Sequence, residues 1–455
     1  MKSSHYLKLG LMTAGLIAAA WSGAQELKGT AAYGDWKTDK PGLTRLITAA
    51  DVQKPLPAGV DSDANRSKVI PKPAGVEAQT MPGFEVKPWA TNLVGARSIK
   101  TAPNGDIFVS LSRPPAPGLG SVVVLRPNAD GSAPAAPSVF ADKLKDAYGI
   151  AFYPPGPNPQ WLYVGMEGKV IRFPYKNGDL KASGDAQTIV QTLPIGSHWT
   201  RDVAFSPDGK NMYLAVGSGS NVAIDMLGKP SDLASWEKSH GLGAGWGMET
   251  DRATVIAFSP DGSNRRIFAT GIRNCSGLTV QEATGRVFCS TNERDLMGDN
   301  TPPDYITSVS EGHFYGWPWY YIGDNEDTRP GGGRRPDLKG RVTIPDVLVQ
   351  PHSAPLGMAF NNGNMFPAEM KGDGFAALHG SWNRKFHTGY KIVRLPQRGN
   401  VLTGSYQDFV IGFTDPKDEV NVWGRPVNVE FMKDGSMLFS DDGNHMLYRV
   451  TYKKP

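Results

Sequence analysis

The sequence predicts an all-β fold, a six-bladed β-propeller with an N-terminal extension. Three observations predict it. One strand–turn–strand signature recurs six times between Arg97 and Asp442. Glycine and proline number 53 and 36 in a chain of 455 residues, which suits many turns joining many short strands. No long helical period interrupts the pattern.

The chain opens on a targeting segment. Lys2 and Lys8 precede an apolar run ending at Trp21, and Ser22-Gly23-Ala24 offers the small residues of a cleavage site. Residues 1–24 therefore read as a signal peptide, with the mature chain starting near Gln25 and delivered to the periplasm or secreted. The run is short for a membrane span; an uncleaved anchor is the other reading. Residues 25–80 are rich in Pro, Ala and Asp and show little alternation. They are expected to form an extended arm over the main domain, with a short helix around Leu43–Val52.

Residues 81–455 carry the repeats. The six copies are ARSIKTAPNGDIFVSL from Ala96, AYGIAFYPPGPNPQWLYVG from Ala147, TRDVAFSPDGKNMYLAVGS from Thr200, CSGLTVQEATGRVFCST from Cys275, PLGMAFNNGNMFPAEMKGDGFAALHGS from Pro355 and PVNVEFMKDGSMLFSDDG from Pro426. Each alternates apolar residues, turns at a Pro/Asp/Asn-Gly element and continues as a second apolar strand. Alternation is the period of a β-strand, and Asp-Gly or Asn-Gly supplies the left-handed residue of a hairpin. The copies begin 51, 53, 75, 80 and 71 residues apart, which leaves room for two more strands in each unit. Insertions at 219–252, 295–345 and 361–375 are expected to be loops on one face.

In a propeller the residues just before each innermost strand open on one end of the central channel. Those residues include Arg97, Asp146 and Tyr148, His198 to Arg201, Arg273 and Asn274, His352, and Arg425. The set is rich in arginine and histidine and poor in carboxylates. It suits a planar, multiply anionic ligand, because guanidinium forks pair with carboxylates and stack on rings. Each residue also has a structural reading: Arg97, Arg201 and Arg425 as ion pairs between blades, His198 as a satisfied buried imidazole, Asp202 as a structural partner. The histidines at 240, 313, 379, 387 and 445 read as loop or interblade residues.

Other classes are disfavoured. Net charge is +4 with no basic stripe, which argues against nucleic acid. No HExxH, GxSxG or phosphate loop occurs, and no CxxCH for covalent haem. The two cysteines, Cys275 and Cys289, read either as a disulfide across a hairpin or as two buried thiols.

The segments SHWTRDVAFSPDGKNMYLAVGS, GIRNCSGLTVQEATGRVFCSTNERD, GHFYGWPWYY and LHGSWNRKFHTGYKIVRL, in this order, resemble the soluble sugar dehydrogenases that depend on pyrroloquinoline quinone (PQQ), in their L-sorbosone/aldose branch. The resemblance covers residues 81–455, and YGDWKTDKPGLTRLITAADV extends it into the arm. It implies oxidation of an aldose or sugar aldehyde by hydride transfer to PQQ, with Ca2+ polarising the quinone. On this mapping His198 is the general base and Arg273 its catalytic neighbour. Tyr148, Trp199, Arg201, Asn274, Arg384, Lys385, Arg425 and Arg97 contact the cofactor. The backbone carbonyls of Glu293 and Arg294 hold the metal, with Asp295, Asp299 and Asp304 either adding ligands or shaping the loop. Tyr148, or Asp146 with a gap, stands at a family glutamine, and Val427 replaces a second family arginine. The implied partners are a small sugar and a separate electron acceptor, a quinone or a periplasmic carrier. Two other functions fit the fold class: a calcium-dependent lactonase-type propeller hydrolase, and a non-catalytic propeller that binds a glycan or a protein.

Overall fold

The computed structural model describes residues 25–57, 63–112 and 120–454. The expected signal peptide lies outside these residues. Among them no helix is long and apolar enough to cross a membrane.

The fold is an all-β propeller. Five sheets have four strands each. The first four run consecutively, from Ala96–Thr101 through Ser138–Ala141, Ala147–Tyr153 through Gln187–Val190, Val203–Phe205 through Arg266–Thr270, and Cys275–Val280 through Val347–Val349. The fifth joins Pro426–Phe431, Met437–Asp441 and Met446–Tyr452 to Phe84–Ala90, a strand that precedes all those of the first four sheets in sequence. A further sheet has seven strands. Its antiparallel series Pro355–Phe360, Gly374–Leu378, Lys391–Leu395 and Ser405–Ile411 is extended by Thr44–Leu46 and Glu26–Lys28, and Gln79–Thr80 also pairs with Ser405–Ile411.

The apolar cores lie between neighbouring sheets. Phe108 and Val122 of one sheet pack with Ile150 and Leu162 of the next, and Tyr163 and Val170 pack with Val203 and Leu214. A sheet sandwiched in this way buries both faces. That is why the second strands, such as Met212–Val216 and Met437–Asp441, are buried at every residue instead of alternating. The predicted hairpin turns form, with Gly435 at φ +86° in the turn after Pro426–Phe431.

Five innermost strands start with a register irregularity: after Ala96, Ala147, Cys275, Pro355 and Pro426. An extra residue there twists the strand and re-aims its side chains. Arg97 and Tyr148 sit on these irregularities. Immediately beyond them the strands approach so closely that a Cβ on Gly277 would lie 2.0 Å from the Leu356 carbonyl oxygen. Side chains also join one innermost strand to another: Asp202 accepts the Leu278 N–H at 2.9 Å and Asn428 accepts that of Ile99 at 3.3 Å.

The structure corrects three expectations. Residues 25–80 are not an appended arm, because Glu26–Lys28, Thr44–Leu46 and Gln79–Thr80 are strands of the seven-stranded sheet. The helix expected at 43–52 is instead the strand Thr44–Leu46 and a 3-10 turn, Ala49–Asp51, capped reciprocally by Thr48 and Asp51. Edge pairing with Ser405–Ile411 supplies hydrogen bonds that outweigh local helical preference. The third concerns residues 361–373, which connect Pro355–Phe360 to Gly374–Leu378. They therefore lie at the opposite end of the sheets from the residues that lead into the innermost strands. The insertions around 219–252 and 310–345 do meet, through Trp246, Phe314, Trp317 and Trp319 in one satellite core.

Cys275 and Cys289 form a disulfide within the hairpin of the fourth sheet, with Cα atoms 5.2 Å apart. It closes a separation of 14 residues. The double variant Cys275→Ala/Cys289→Ala is expected to lose about 3 kcal/mol in denaturant unfolding, the chain-entropy value for a loop of this size. An unchanged midpoint would show that the denatured chain is not constrained by the bond.

Candidate functional site

Two linked clusters stand where the innermost strands begin. The first starts at Arg97, whose guanidinium lies 5.7 Å from the Tyr148 ring centre and 5.6 Å from that of Trp199. These two rings meet edge to face at 5.7 Å. Arg97 also pairs with Asp442. Asp442 accepts from His379 Nε2 at 2.9 Å, and Arg425 Nη2 donates to His379 Nδ1 at 3.0 Å. These bonds require a neutral His379 with its proton on Nε2. Burial and the Arg425 charge lower its pKa to about 4. Burial opposes ionisation of Asp442, but His379 and Arg97 hold its carboxyl far below the usual range.

The second cluster surrounds His198. Its Nδ1 lies 2.9 Å from the Ser218 carbonyl oxygen and 3.0 Å from Ser218 Oγ. A carbonyl only accepts, so Nδ1 carries the proton and Nε2 keeps its lone pair. Ser218 Oγ in turn donates to the Ser220 carbonyl at 2.7 Å, which fixes the hydroxyl. Burial and the nearby Arg273 charge lower the His198 pKa to about 3. The imidazole is therefore half-buried, neutral and of one tautomer. The chain places Asn274 beside it: a Cβ on Gly217 would lie 2.6 Å from both His198 Cβ and Asn274 Oδ1.

Arg273 is buried and saturated with oxygen partners. Nη1 donates to the carbonyls of Glu293 at 2.7 Å and Asn292 at 3.3 Å. Nε and Nη2 donate to the backbone and side-chain oxygens of Asn221 at 3.2 and 3.1 Å, and the Asp295 carboxylate lies 3.6 Å away.

The expected residues thus divide. Arg97, Tyr148, Trp199 and Arg425 come together, as do His198, Arg273 and Asn274. Arg201 does not face the mouth. It is fully buried and donates to the carbonyls of His198 at 2.8 Å, Thr200 at 2.7 Å and Pro194, so it braces the loop that carries His198. Arg384 is also turned away, toward the Tyr33 carbonyl at 2.6 Å and Asn300 at 3.2 Å. Lys385 is exposed beside Phe386, and its backbone binds Asp299 and Asn65. The Arg294 guanidinium is locked by Glu293, Asp327 and the carbonyls of Pro318 and Tyr320.

His379, Asp442, Ser218 and Asn221 were not among the expected site residues. A signal for the first three exists in the repeats. The second strand of each hairpin runs back to the mouth, so the residues following Gly374–Leu378, Met437–Asp441 and Met212–Val216 face it as well. Asn221 lies in an insertion, where the repeats give no register.

The residues fit an anionic planar cofactor. Arg97 Nε and Arg425 Nε are buried without a protein partner among the described residues, as is Asn274 Oδ1. Such unsatisfied donors and acceptors are costly unless a ligand meets them. Of the carbonyl pair expected to hold Ca2+, that of Glu293 already accepts from the Arg273 guanidinium at 2.7 Å, so a cation there would stand against that fixed charge. Among the described residues no three His, Cys, Asp or Glu side chains are grouped to hold a metal ion. A separate cavity of about 610 Å³ opens at the other end of the innermost strands, lined by Lys100, Phe152, Phe205, Leu278, Phe360 and Glu430 among others. It contains neither histidine nor arginine.

The TrAA12-like family matches residues 78–305 and 338–453. The chain belongs to that family. An uncharacterized protein of Borreliella burgdorferi is 33% identical over 245 residues, 53% of this chain and 60% of that protein. A PQQ-dependent pyranose dehydrogenase of Coprinopsis cinerea is 26% identical over 242 residues, 46% of this chain and 31% of that protein. The TrAA12-like chain thus spans under two thirds of each curated relative. The holo PQQ domain of the Coprinopsis cinerea pyranose dehydrogenase superposes with a TM-score of 0.66 at 20% identity, covering 86% of this chain and all of that domain. That likeness shows that the TrAA12-like chain and that domain share a fold.

Proposed function

We propose that this TrAA12-like protein oxidises an aldose or sugar aldehyde by passing hydride to bound PQQ, with His198 as general base. The observation that carries the reading is the neutral His198, its Nε2 lone pair fixed by the Ser218 carbonyl, beside a cationic pocket with unsatisfied arginine donors. PQQ, when bound, supplies the two-electron acceptor. Arg97 and Arg425 would hold its carboxylates, and Trp199, seated on the buried Tyr148, would flank it. His198 Nε2 takes the proton of the C1 hydroxyl, that of the cyclic aldose or of the aldehyde's hydrate, as the C1 hydride leaves, so the sugar loses two electrons and two hydrogens. Asn274 Oδ1 is an acceptor for a second sugar hydroxyl.

The propeller is read as six-bladed. The strand Pro355–Phe360 of the seven-stranded sheet packs on both Cys275–Val280 and Pro426–Phe431, which supports counting that sheet as the sixth blade. Export to the periplasm or beyond is supported by the N-terminal sequence and by the Cys275–Cys289 disulfide. Reoxidation falls to a separate acceptor, a quinone or a soluble carrier. The lactonase reading is not favoured, since it needs carboxylates ringing a channel metal and the described residues group none.

The test is reconstitution: apo-protein plus PQQ, followed by absorbance and dye reduction with a panel of aldoses. PQQ retention with substrate-dependent bleaching is the expected result. Retention of no PQQ, or lactone hydrolysis indifferent to it, would overturn the proposal. A pH profile provides a second check. A pKa lowered to about 3 means that His198 loses its proton at lower pH than a free imidazole, so the base form persists on the acid side. kcat/KM should show no acid limb from this residue above about pH 5. A midpoint near the ordinary histidine value of about 6.5 would contradict the burial argument.

A further inference from the structure

We propose that Arg273 takes the place of the divalent cation in this protein, so that PQQ binds without Ca2+. The inference builds on the PQQ reading but concerns a different feature, the oxygen shell around the guanidinium. Calcium is bound by hard oxygen donors, carbonyls and carboxylates in particular. Such a shell exists here. It consists of the Asn292 and Glu293 carbonyls, both oxygens of Asn221 and the Asp295 carboxylate, and a single guanidinium touches all of them at 2.7–3.6 Å.

The shell is also rigid. Asn221 Oδ1 accepts the Asp295 N–H at 2.8 Å, and Asn221 Nδ2 donates to the Asp295 carbonyl at 3.0 Å. Asp304 accepts the Glu293 N–H at 2.7 Å. The oxygens are therefore held in place for their occupant. That occupant is buried, cationic and covalently part of the chain. A divalent ion at the Glu293 carbonyl would stand against a fixed positive charge at close range, where Coulomb repulsion is poorly screened. Arg273, its donors spent on the shell, offers one charge at the position where the ion would offer two. Its backbone carbonyl accepts the Ser218 N–H at 2.7 Å, which ties it to the residue that orients His198.

Two measurements test this, one of them without cofactor. In thermal unfolding of apo wild type, CaCl2 at millimolar concentration should leave Tm where EDTA leaves it. In Arg273→Met, which empties the shell, CaCl2 should raise Tm. PQQ affinity, followed by quenching of tryptophan fluorescence, should be the same for wild type in EDTA and in CaCl2. It should fall at least about tenfold in Arg273→Met in EDTA, the scale of losing one close, poorly screened opposite charge. Wild-type PQQ binding that requires Ca2+, or a wild-type Tm that rises with Ca2+, would overturn the inference while leaving the quinone reading intact. Unchanged PQQ affinity in Arg273→Met would overturn the role of Arg273. PQQ binding in neither buffer would overturn the quinone reading and this inference with it. Should Arg273→Met fail to fold, the two wild-type measurements still decide.

Discussion

Replacing His198 with alanine is expected to lower turnover by about 10²–10⁴-fold, the usual contribution of a positioned base, while PQQ affinity changes little. Nothing in the first cluster depends on the imidazole: Arg97, Asp442, His379 and Arg425 bond to one another, and Trp199 stacks from its own side chain. The loss should fall mainly on kcat, because proton removal belongs to the transition state and not to substrate binding. Fold integrity can be followed separately, since the loop bearing His198 is braced by the buried Arg201 as well as by the imidazole bond to Ser218. A variant with wild-type turnover would remove His198 from the chemistry and favour a propeller that only binds its ligand.

The largest effect on stability is expected at Asp408. Its carboxylate sits with Arg45, Lys391 and Asp39 in a cluster buried beneath the Thr44–Leu46 edge. Arg45 Nη1 lies 2.6 Å from it and Lys391 Nζ 2.8 Å. Asp39 meets the same two cations at 2.9 and 2.8 Å. Two anions and two cations balance. Burial resists ionisation of Asp408, but Lys391 and Arg45 hold its carboxyl below the ordinary range. Asp408→Ala leaves two buried cations facing one anion. Breaking such a cluster by removing one partner costs about 3–5 kcal/mol, which should lower Tm markedly and loosen residues 25–57 to protease. The double variant Arg45→Met/Asp408→Leu keeps Lys391 paired with Asp39 and should recover much of the loss. Equal stability of Asp408→Ala and wild type would show that the cluster is solvated in solution.

The repeats were legible because a propeller writes its hairpins into the sequence: alternation, a Gly turn, alternation. Hence the positions of Arg97, Tyr148, His198, Arg273 and Arg425 could be expected before any coordinates. Residues outside that grammar could not. His379 follows a second strand, and only the return of the hairpin to the mouth brings it to Arg425. The orientation of Arg201 and Arg384 was also hidden, because a buried guanidinium seeks carbonyls wherever loops offer them, and loop carbonyls leave no mark in sequence. Thr44–Leu46 looked helical at short range, yet the edge of a distant sheet decided its conformation. A carbonyl donor has no side-chain signature, so the bond from Arg273 to the Glu293 carbonyl was invisible in the sequence for a related reason.

The strand Phe84–Ala90 lies far from its sheet partners in sequence, yet it completes the sheet of Pro426–Tyr452. This has a consequence for biosynthesis. The last ring sheet has no first three strands until almost the entire polypeptide has been made, so the ring stays open throughout synthesis. The early sheets must wait with an uncovered face, and the final closure pairs segments more than 350 residues apart. Such long-range pairing is slow and leaves edges exposed. A chain shortened by its final strand, Met446–Tyr452, would therefore lose more than one strand. It would release Phe84–Ala90 as well, and with it the seam that holds Arg97 against Asp442.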